Sequence, residues 1–278
     1  MEFKDLGRSD VKIPVLGLGT WGIGGFSSMS EAEDSESVEA LRLGLKLGMS
    51  FIDTAEIYAR GHSEEVVAKA IQNQRENVFI ATKVSPGHLS HEEVLRACES
   101  SLRRLQTDYI DLYQVHWPNP RIPISETMKA MERLVREGKV RYIGVSNFSV
   151  HQTQEAQTAL SQAHLASNQV EYSLLDRSIE NELLPYCTKE RITVIAYSPI
   201  AKGEIARGKS GERWRVLDQV ASDRGKTRIQ VALNWLITKN PVVAIPKAAS
   251  LVHVNENAGS VGWKLSAENV HALDEAFK

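Results

Sequence analysis

The 278-residue chain is short of several things. It has only two cysteines, Cys98 and Cys187, far apart and in no CxxC or metal-ligand spacing, so both read as reduced thiols and no disulfide framework is expected. Charge of one sign is not in excess: 33 Lys and Arg stand against 35 Asp and Glu, and no basic block is present to suit a nucleic-acid partner. No uninterrupted apolar run reaches membrane-spanning length, and the opening MEFKDLGRSDVKIP carries charges where a secretory signal needs its apolar stretch. Low-complexity linkers and short internal repeats are also missing, so residues 1–278 are read as one domain. These absences together predict a soluble, cytoplasmic protein, monomeric by default, with no nucleic-acid or membrane partner.

What is present is alternation. Short runs of β-branched and aliphatic residues, VLGLG (15–19), SFID (50–53), VFIATK (78–83), IDLYQVH (110–116), VRYIGVS (140–146), ASNQVE (166–171), ITVIAYS (192–198) and VVAIP (242–246), are separated by segments of helical periodicity. Helical segments such as SESVEALRLGLKLG, HEEVLRACESSLRRL and SETMKAMERLVREG open on Ser, Thr or charged residues suited to capping. Eight strands with helices between them fit an α/β fold of the (β/α)8 TIM-barrel type better than an open doubly wound sheet. The first dozen residues read as a β-hairpin around Gly7 that caps the barrel bottom.

Gly17, Gly19 and Gly22 spell GxGxxG after the first strand, which raises a dinucleotide fold of the Rossmann kind. That motif needs a helix at its last glycine and an acid about 20 residues on. Here a polar stretch intervenes, and the acid ending the second strand, Asp53, comes 36 positions after Gly17. The glycines read better as a tight turn above the first strand.

Active sites of barrels are built from the C-terminal ends of strands, and these ends carry Asp53, Lys83, His116, Ser146 with Asn147, Asn168 with Gln169, Tyr197 with Ser198, and Lys247. Each alone has an ordinary structural explanation. On neighbouring strands an acid, a base and an imidazole converge, and a desolvated Lys83 needs a partner that Asp53 can be. Tyr58 follows Asp53 in the loop before the next helix. A phenol is a sluggish acid or base near neutrality unless a cation stabilises its phenolate, and Lys83 is placed to do so. With His116 to orient or polarise a carbonyl, the group suits proton transfer at a carbonyl oxygen. It has no redox centre of its own, so a reduction would draw its hydride from a cofactor.

These residues sit in segments that resemble the aldo-keto reductases, in particular their compact prokaryotic members. The likeness runs through LGLGTWG, FIDTAEIYARGHSEEVVAKAI, FIATKV, TDYIDLYQVHWP, GKVRYIGVSNF, NQVEYSLL, VIAYSPI, VALNWLI and VVAIPKAASLVHVNEN, nearly the whole chain. The resemblance implies reversible NADP(H)-dependent reduction of aldehydes or ketones, with Asp53, Tyr58, Lys83 and His116 as the catalytic tetrad and Tyr58 as general acid. It implies that Ser146, Asn147 and Gln169 hold the nicotinamide carboxamide and that its ring stacks on Tyr197. Ser198 and the loop of about Ile200 to Trp214 would cover the pyrophosphate. Lys247, Ser250, His253, Glu256 and Asn257 would form the adenosine end, and Trp21 and Trp117 would line the substrate pocket.

Several positions depart from the family pattern. His253 stands where many members have an arginine for the 2'-phosphate, so NAD(H) is expected as a weaker alternative, while Lys247 keeps NADP(H) first. Ala248 removes a hydroxyl donor, and Ser85 replaces a common tryptophan and widens the pocket. A short loop after His116 and the lack of a long C-terminal specificity loop predict broad carbonyl acceptance. Two other classes fit less well: a non-catalytic NADP(H)-binding regulatory subunit, against which the intact tetrad stands, and a metal-dependent barrel hydrolase, for which the strand ends offer only His116 with a lone Asp53.

Overall fold

Side chains alternate across a strand, so a strand whose one face lines a barrel and whose other meets helices must be apolar on both sides. The short runs above are of that kind. In the structure, a computed structural model describing residues 1–26, 29–247 and 249–278, they form the expected frame. Ala248 lies outside the described residues. After an N-terminal hairpin, β1 (Phe3–Asp5) and β2 (Lys12–Pro14), come β3 (Leu18–Gly19), β4 (Phe51–Asp53), β5 (Phe79–Val84), β6 (Ile110–Val115), β7 (Val140–Ser146), β8 (Leu165–Glu171), β9 (Thr193–Tyr197) and β10 (Val242–Ala244). From β3 to β10 the strands lie side by side in chain order.

The first and last strands then meet. Leu16 bridges Ala244 and Gly19 bridges Lys247, both in parallel register, and Gly17 N donates to Ala244 O at 2.8 Å. This closes a (β/α)8 barrel. The glycines of the GxGxxG pattern act differently from expectation, because Gly17 and Gly19 belong to the closing strand run rather than to a turn. A Cβ on Gly17 would lie 2.7 Å from the Phe51 ring, and one on Gly19 2.7 Å from Ile245 O, so both allow close approach. Gly22 alone supplies a turn, with φ of 85°.

Two apolar regions support the frame. The larger lies between the barrel and its helices. The smaller fills the barrel, where Phe51, Ala81, Leu112, Ile195 and Val243 meet Leu6 and Ile13 of the hairpin. Moving two residues up the same strands brings Asp53, Lys83, Gln114 and Tyr197 to the inner face. An apolar plug thus sits under a polar mouth.

The helices start close to their expected positions. His91–Leu105 matches its segment, Ser149 and Thr227 form capping boxes with Gln152 and Gln230, and Ser266 caps Ala267–Ala276. Asp34–Lys46 and Ile124–Arg136 begin one residue before the serines expected to open them, without side-chain caps. Cys98 and Cys187 are free and buried, and burial pushes both thiols up to about 12, so neither is poised as a nucleophile. Among the described residues no helix is long and apolar enough to cross a membrane.

The hairpin is tied to the barrel bottom by Lys4, whose Nζ donates to Ile237 O (2.7 Å), Lys239 O (2.8 Å) and Val242 O (2.7 Å). These include Ile237 O, one of the carbonyls at the end of helix Arg228–Thr238 that have no partner within the helix. Lys4→Met keeps the aliphatic stem but removes the donor from Ile237 O and Val242 O, while Lys239 O keeps Val242 N. Its expected cost is about 1–3 kcal/mol, read as a lower urea midpoint with an unchanged m-value.

Candidate active site

The centre of the polar mouth is Lys83 on β5, which is fully buried. Its ammonium donates to Asp53 Oδ1 (2.5 Å), Thr54 O (2.8 Å) and Tyr58 Oη (3.3 Å), so each of its three protons has an acceptor. Asp53, 2% exposed at the end of β4, receives Gln169 Nε2 (2.7 Å) and Gln114 Nε2 (3.2 Å) on its other oxygen. A buried ion pair tolerates desolvation only when its remaining lone pairs and protons are satisfied, as they are here.

Tyr58 is delivered by a strained turn. It opens the 3-10 turn Tyr58–Gly61, in which Ala59, Arg60 and Gly61 have φ of 47°, 57° and 95°. Left-handed backbone costs a non-glycine residue roughly 1–2 kcal/mol, so the surrounding structure holds this turn in place. The Tyr58 ring meets the His116 ring edge-on at 5.6 Å, and Lys83 Nζ lies 5.0 Å from its centroid.

The electrostatics differ from expectation at one point. Burial raises the Tyr58 phenol above its ordinary value, outweighing the opposing pull of Lys83, with Asp53 adding to the rise. Lys83 does pull this phenol downward, as expected, through its charge and its hydrogen bond, but removal of the hydroxyl from water outweighs it. For Lys83 itself burial acts downward, but Asp53 and Tyr58 outweigh it and hold the ammonium above its ordinary value. His116 is pushed down to about 3, by burial and then by the Lys83 charge. Its imidazole is neutral, and Nδ1 is buried without a hydrogen-bond partner among the described residues.

A second cluster adjoins the first through Gln169. Ser146 Oγ donates to Gln169 O (2.9 Å), and Asn147 Nδ2 donates to His116 O (3.1 Å) and Ser146 Oγ (3.0 Å). Tyr197 Oη donates to Asn147 Oδ1 at 3.0 Å, which fixes its ring at the top of β9. Asn147 and Ser198 adopt φ of 62° and 48°. The segment after Ser198, expected as a loop, is partly helical. Ile200 packs against the outer core, Ala201–Gly203 and Glu204–Arg207 are helical, and Trp214 is buried against Phe277 (5.8 Å).

A third group stands on the rim after β10. Lys247 is exposed with Nζ 5.2 Å from the Phe26 ring, and Ser250 Oγ meets His253 Nδ1 at 3.0 Å. Glu256 is half-buried, and Asn257 is buried with Nδ2 lacking a partner among the described residues. No hydrogen bond among the described residues joins this group to the Lys83 cluster.

Trp21 and Trp117, expected in the pocket, are 54% and 48% exposed, so neither is a core residue. Trp21 meets Phe26 edge-on at 5.1 Å. Ser85 is half-buried and its amide donates to Glu56 Oε1 (2.6 Å). Sequence reasoning missed Gln114 and Phe26. Gln114 was within reach, lying two residues before His116 on the same inward face, whereas nothing in the pattern marks Phe26. Among the described residues no three His, Cys, Asp or Glu come together to hold a metal.

The His116 value sets a testable sign. Its folded pKa lies below the ordinary 6.5, so its contribution to stability is lost as pH falls through the ordinary value toward 3, where the unfolded chain binds a proton the folded chain refuses. Its ring resonances are expected not to titrate between about pH 5 and pH 9 in NMR. His116→Asn should lose less unfolding free energy than the parent between about pH 7 and pH 5.

The sequence model of the Aldo/keto reductase family matches residues 15–278. A methylglyoxal reductase of Escherichia coli (strain K12) is 41% identical over 269 residues, 96% of this chain and 92% of that protein. Among solved structures, a thermostable aldo-keto reductase in complex with the inhibitor epalrestat superposes with a TM-score of 0.94 at 46% identity, covering 99% of this chain and 100% of that one. An aldo-keto reductase from Klebsiella pneumoniae in complex with NADPH gives a TM-score of 0.90 at 40% identity, over 100% and 95%. With near-complete coverage in sequence and in fold, the chain belongs to the aldo/keto reductase family and is an oxidoreductase.

Proposed function

We propose that the protein reduces aldehydes and ketones to alcohols, reversibly, with NADP(H), and that Tyr58 is the general acid. One observation carries the reading: the Tyr58 hydroxyl lies 3.3 Å from an ammonium that Asp53 keeps charged in a buried site. The nicotinamide supplies the hydride when bound. Tyr58 is protonated at neutral pH and donates to the oxygen on which charge develops, and Lys83 stabilises the phenolate left behind. His116 is neutral, adds no competing cation, and orients the carbonyl.

The residues suit the cofactor. Asn257 offers a buried amide donor without a hydrogen-bond partner among the described residues, as an adenine nitrogen would require, and Lys247 is an exposed rim cation for a phosphate. Ser146, Asn147 and Gln169 hold polar atoms beside the ring of Tyr197, on which a nicotinamide would stack. Ser198 and Ile200 begin the cover, and Ser250, His253 and Glu256 complete the adenosine end. The NADPH-bound relative supports this assignment, and NAD(H) is the weaker alternative. Trp21, Trp117 and Ser85 form an open, largely apolar wall suited to varied small carbonyls, in keeping with the methylglyoxal reductase relative. We take residues 1–278 as one domain carrying this whole site.

The test is loss of reduced-nicotinamide absorbance with NADPH and NADH against a carbonyl panel. Tyr58→Phe is expected to lower kcat by about 10²–10⁴-fold with NADPH binding little changed. Wild type that binds NADPH and turns over no carbonyl would instead fit a non-catalytic binding subunit. Lys247→Ala should weaken NADPH by about tenfold or more, and NADH less, in a fluorescence titration.

A further inference from the structure

Among the ion pairs that the mechanism above does not use, that of Glu64 and Arg104 adjoins the Tyr58 turn. Glu64, in helix His62–Ile71, is fully buried, and its Oε2 accepts from Arg104 Nε at 2.7 Å across from helix His91–Leu105. Its Oε1 accepts from Thr82 Oγ1 at 2.6 Å. Thr82 immediately precedes Lys83 on β5. The Arg104 side chain meanwhile lies against the Tyr58 turn: a Cβ on Gly61 would stand 2.5 Å from Arg104 Nε and 2.6 Å from its Cδ. The guanidinium therefore occupies the space that Gly61 leaves open, in a turn whose three residues after Tyr58 all have left-handed φ.

From this juxtaposition we infer that Arg104 and Glu64 form a positioning pair that sets the distance between Tyr58 and Lys83. The pair touches both sides of that distance. Arg104 backs the turn that carries the phenol, and Glu64 grips the residue beside the one that carries the ammonium. A mere surface bridge would do neither, since exposed pairs fix little geometry. A shift of about 1 Å at a proton donor lowers turnover by up to about 10²-fold, so a pair that holds the separation acts on kcat and not on cofactor affinity. This inference rests on Tyr58 being the general acid.

The experiment is a kinetic cycle with NADPH and a carbonyl that wild type reduces. It compares wild type, Tyr58→Phe, the neutralised pair Glu64→Gln with Arg104→Met, and all three substitutions together. The pair variant removes both charges, so no unpaired ion is left buried. Expected is a fall of about 10–100-fold in kcat for the pair variant, with the NADPH dissociation constant unchanged, and almost no further fall when Tyr58 is already Phe. An unchanged kcat, or an equal fall in both backgrounds, would overturn the inference, because a structural defect alone lowers both alike. If the pair variant does not fold, Arg104→Lys, which keeps Glu64 paired but withdraws the guanidinium from Gly61, goes through the same cycle with the same two outcomes. An active Tyr58→Phe would defeat the functional reading itself, and is seen separately in the same data.

Discussion

A lysine with no exposure to water is the constraint on which the mouth of this barrel depends. Burial works against an ammonium, and the loss is recovered only through partners with good geometry. Lys83 has three acceptors for three protons, and the carboxylate that balances it is itself held by two glutamine amides. Those contacts tie together β4, β5, β6 and β8. Removing one member would leave a buried charge unsatisfied, so the strand ends are fixed by electrostatics as much as by packing. The same charge reaches His116, where it adds to burial and keeps the ring neutral.

The barrel makes this arrangement possible by placing polarity in layers. Phe51, Ala81 and Leu112 point inward below, and two residues further on Asp53, Lys83 and Gln114 point inward above them. Space at this level is scarce. A Cβ on Gly144 would lie 2.4 Å from Ser167 Oγ and 2.9 Å from Gln114 Cγ, so a bare backbone on β7 makes room for the amide that supports Asp53. Gly17 and Gly19 do the equivalent for barrel closure. A missing side chain here determines where a functional one can stand.

The eight strands were legible because each is a short apolar run bounded by helical periodicity, and the strand-end residues because a barrel puts its chemistry there. The pairing of Lys83 with Asp53 followed from desolvation alone. Other features depend on distances that spacing does not carry. Whether burial or Lys83 wins at Tyr58 is a contest between two effects of opposite sign, and only the depth of the hydroxyl decides it. The segment after Ser198, expected from the resemblance as a loop, contains the helical stretches Ala201–Gly203 and Glu204–Arg207, and Trp214 at its end packs on Phe277 from far along the chain. The role of Gly61 was invisible because its reason, Arg104, lies in another helix.

The outcome at Tyr58 bears on the proposal that it is the general acid. A donor must hold its proton before reaction and part with it when charge develops on the acceptor. Burial supplies the first requirement, since it keeps the phenol protonated, and Lys83 supplies the second by favouring the phenolate. Neither suffices alone: an exposed phenol would lose its cation to solvent screening, and a buried phenol without the cation would have no stabilised conjugate base. The cation in turn is maintained because Asp53, the larger influence, and Tyr58 oppose what burial would otherwise do to Lys83. Under the proposed role of Tyr58, Asp53 acts on the proton donor at one remove, through Lys83, from the point where the second barrel strand meets its loop.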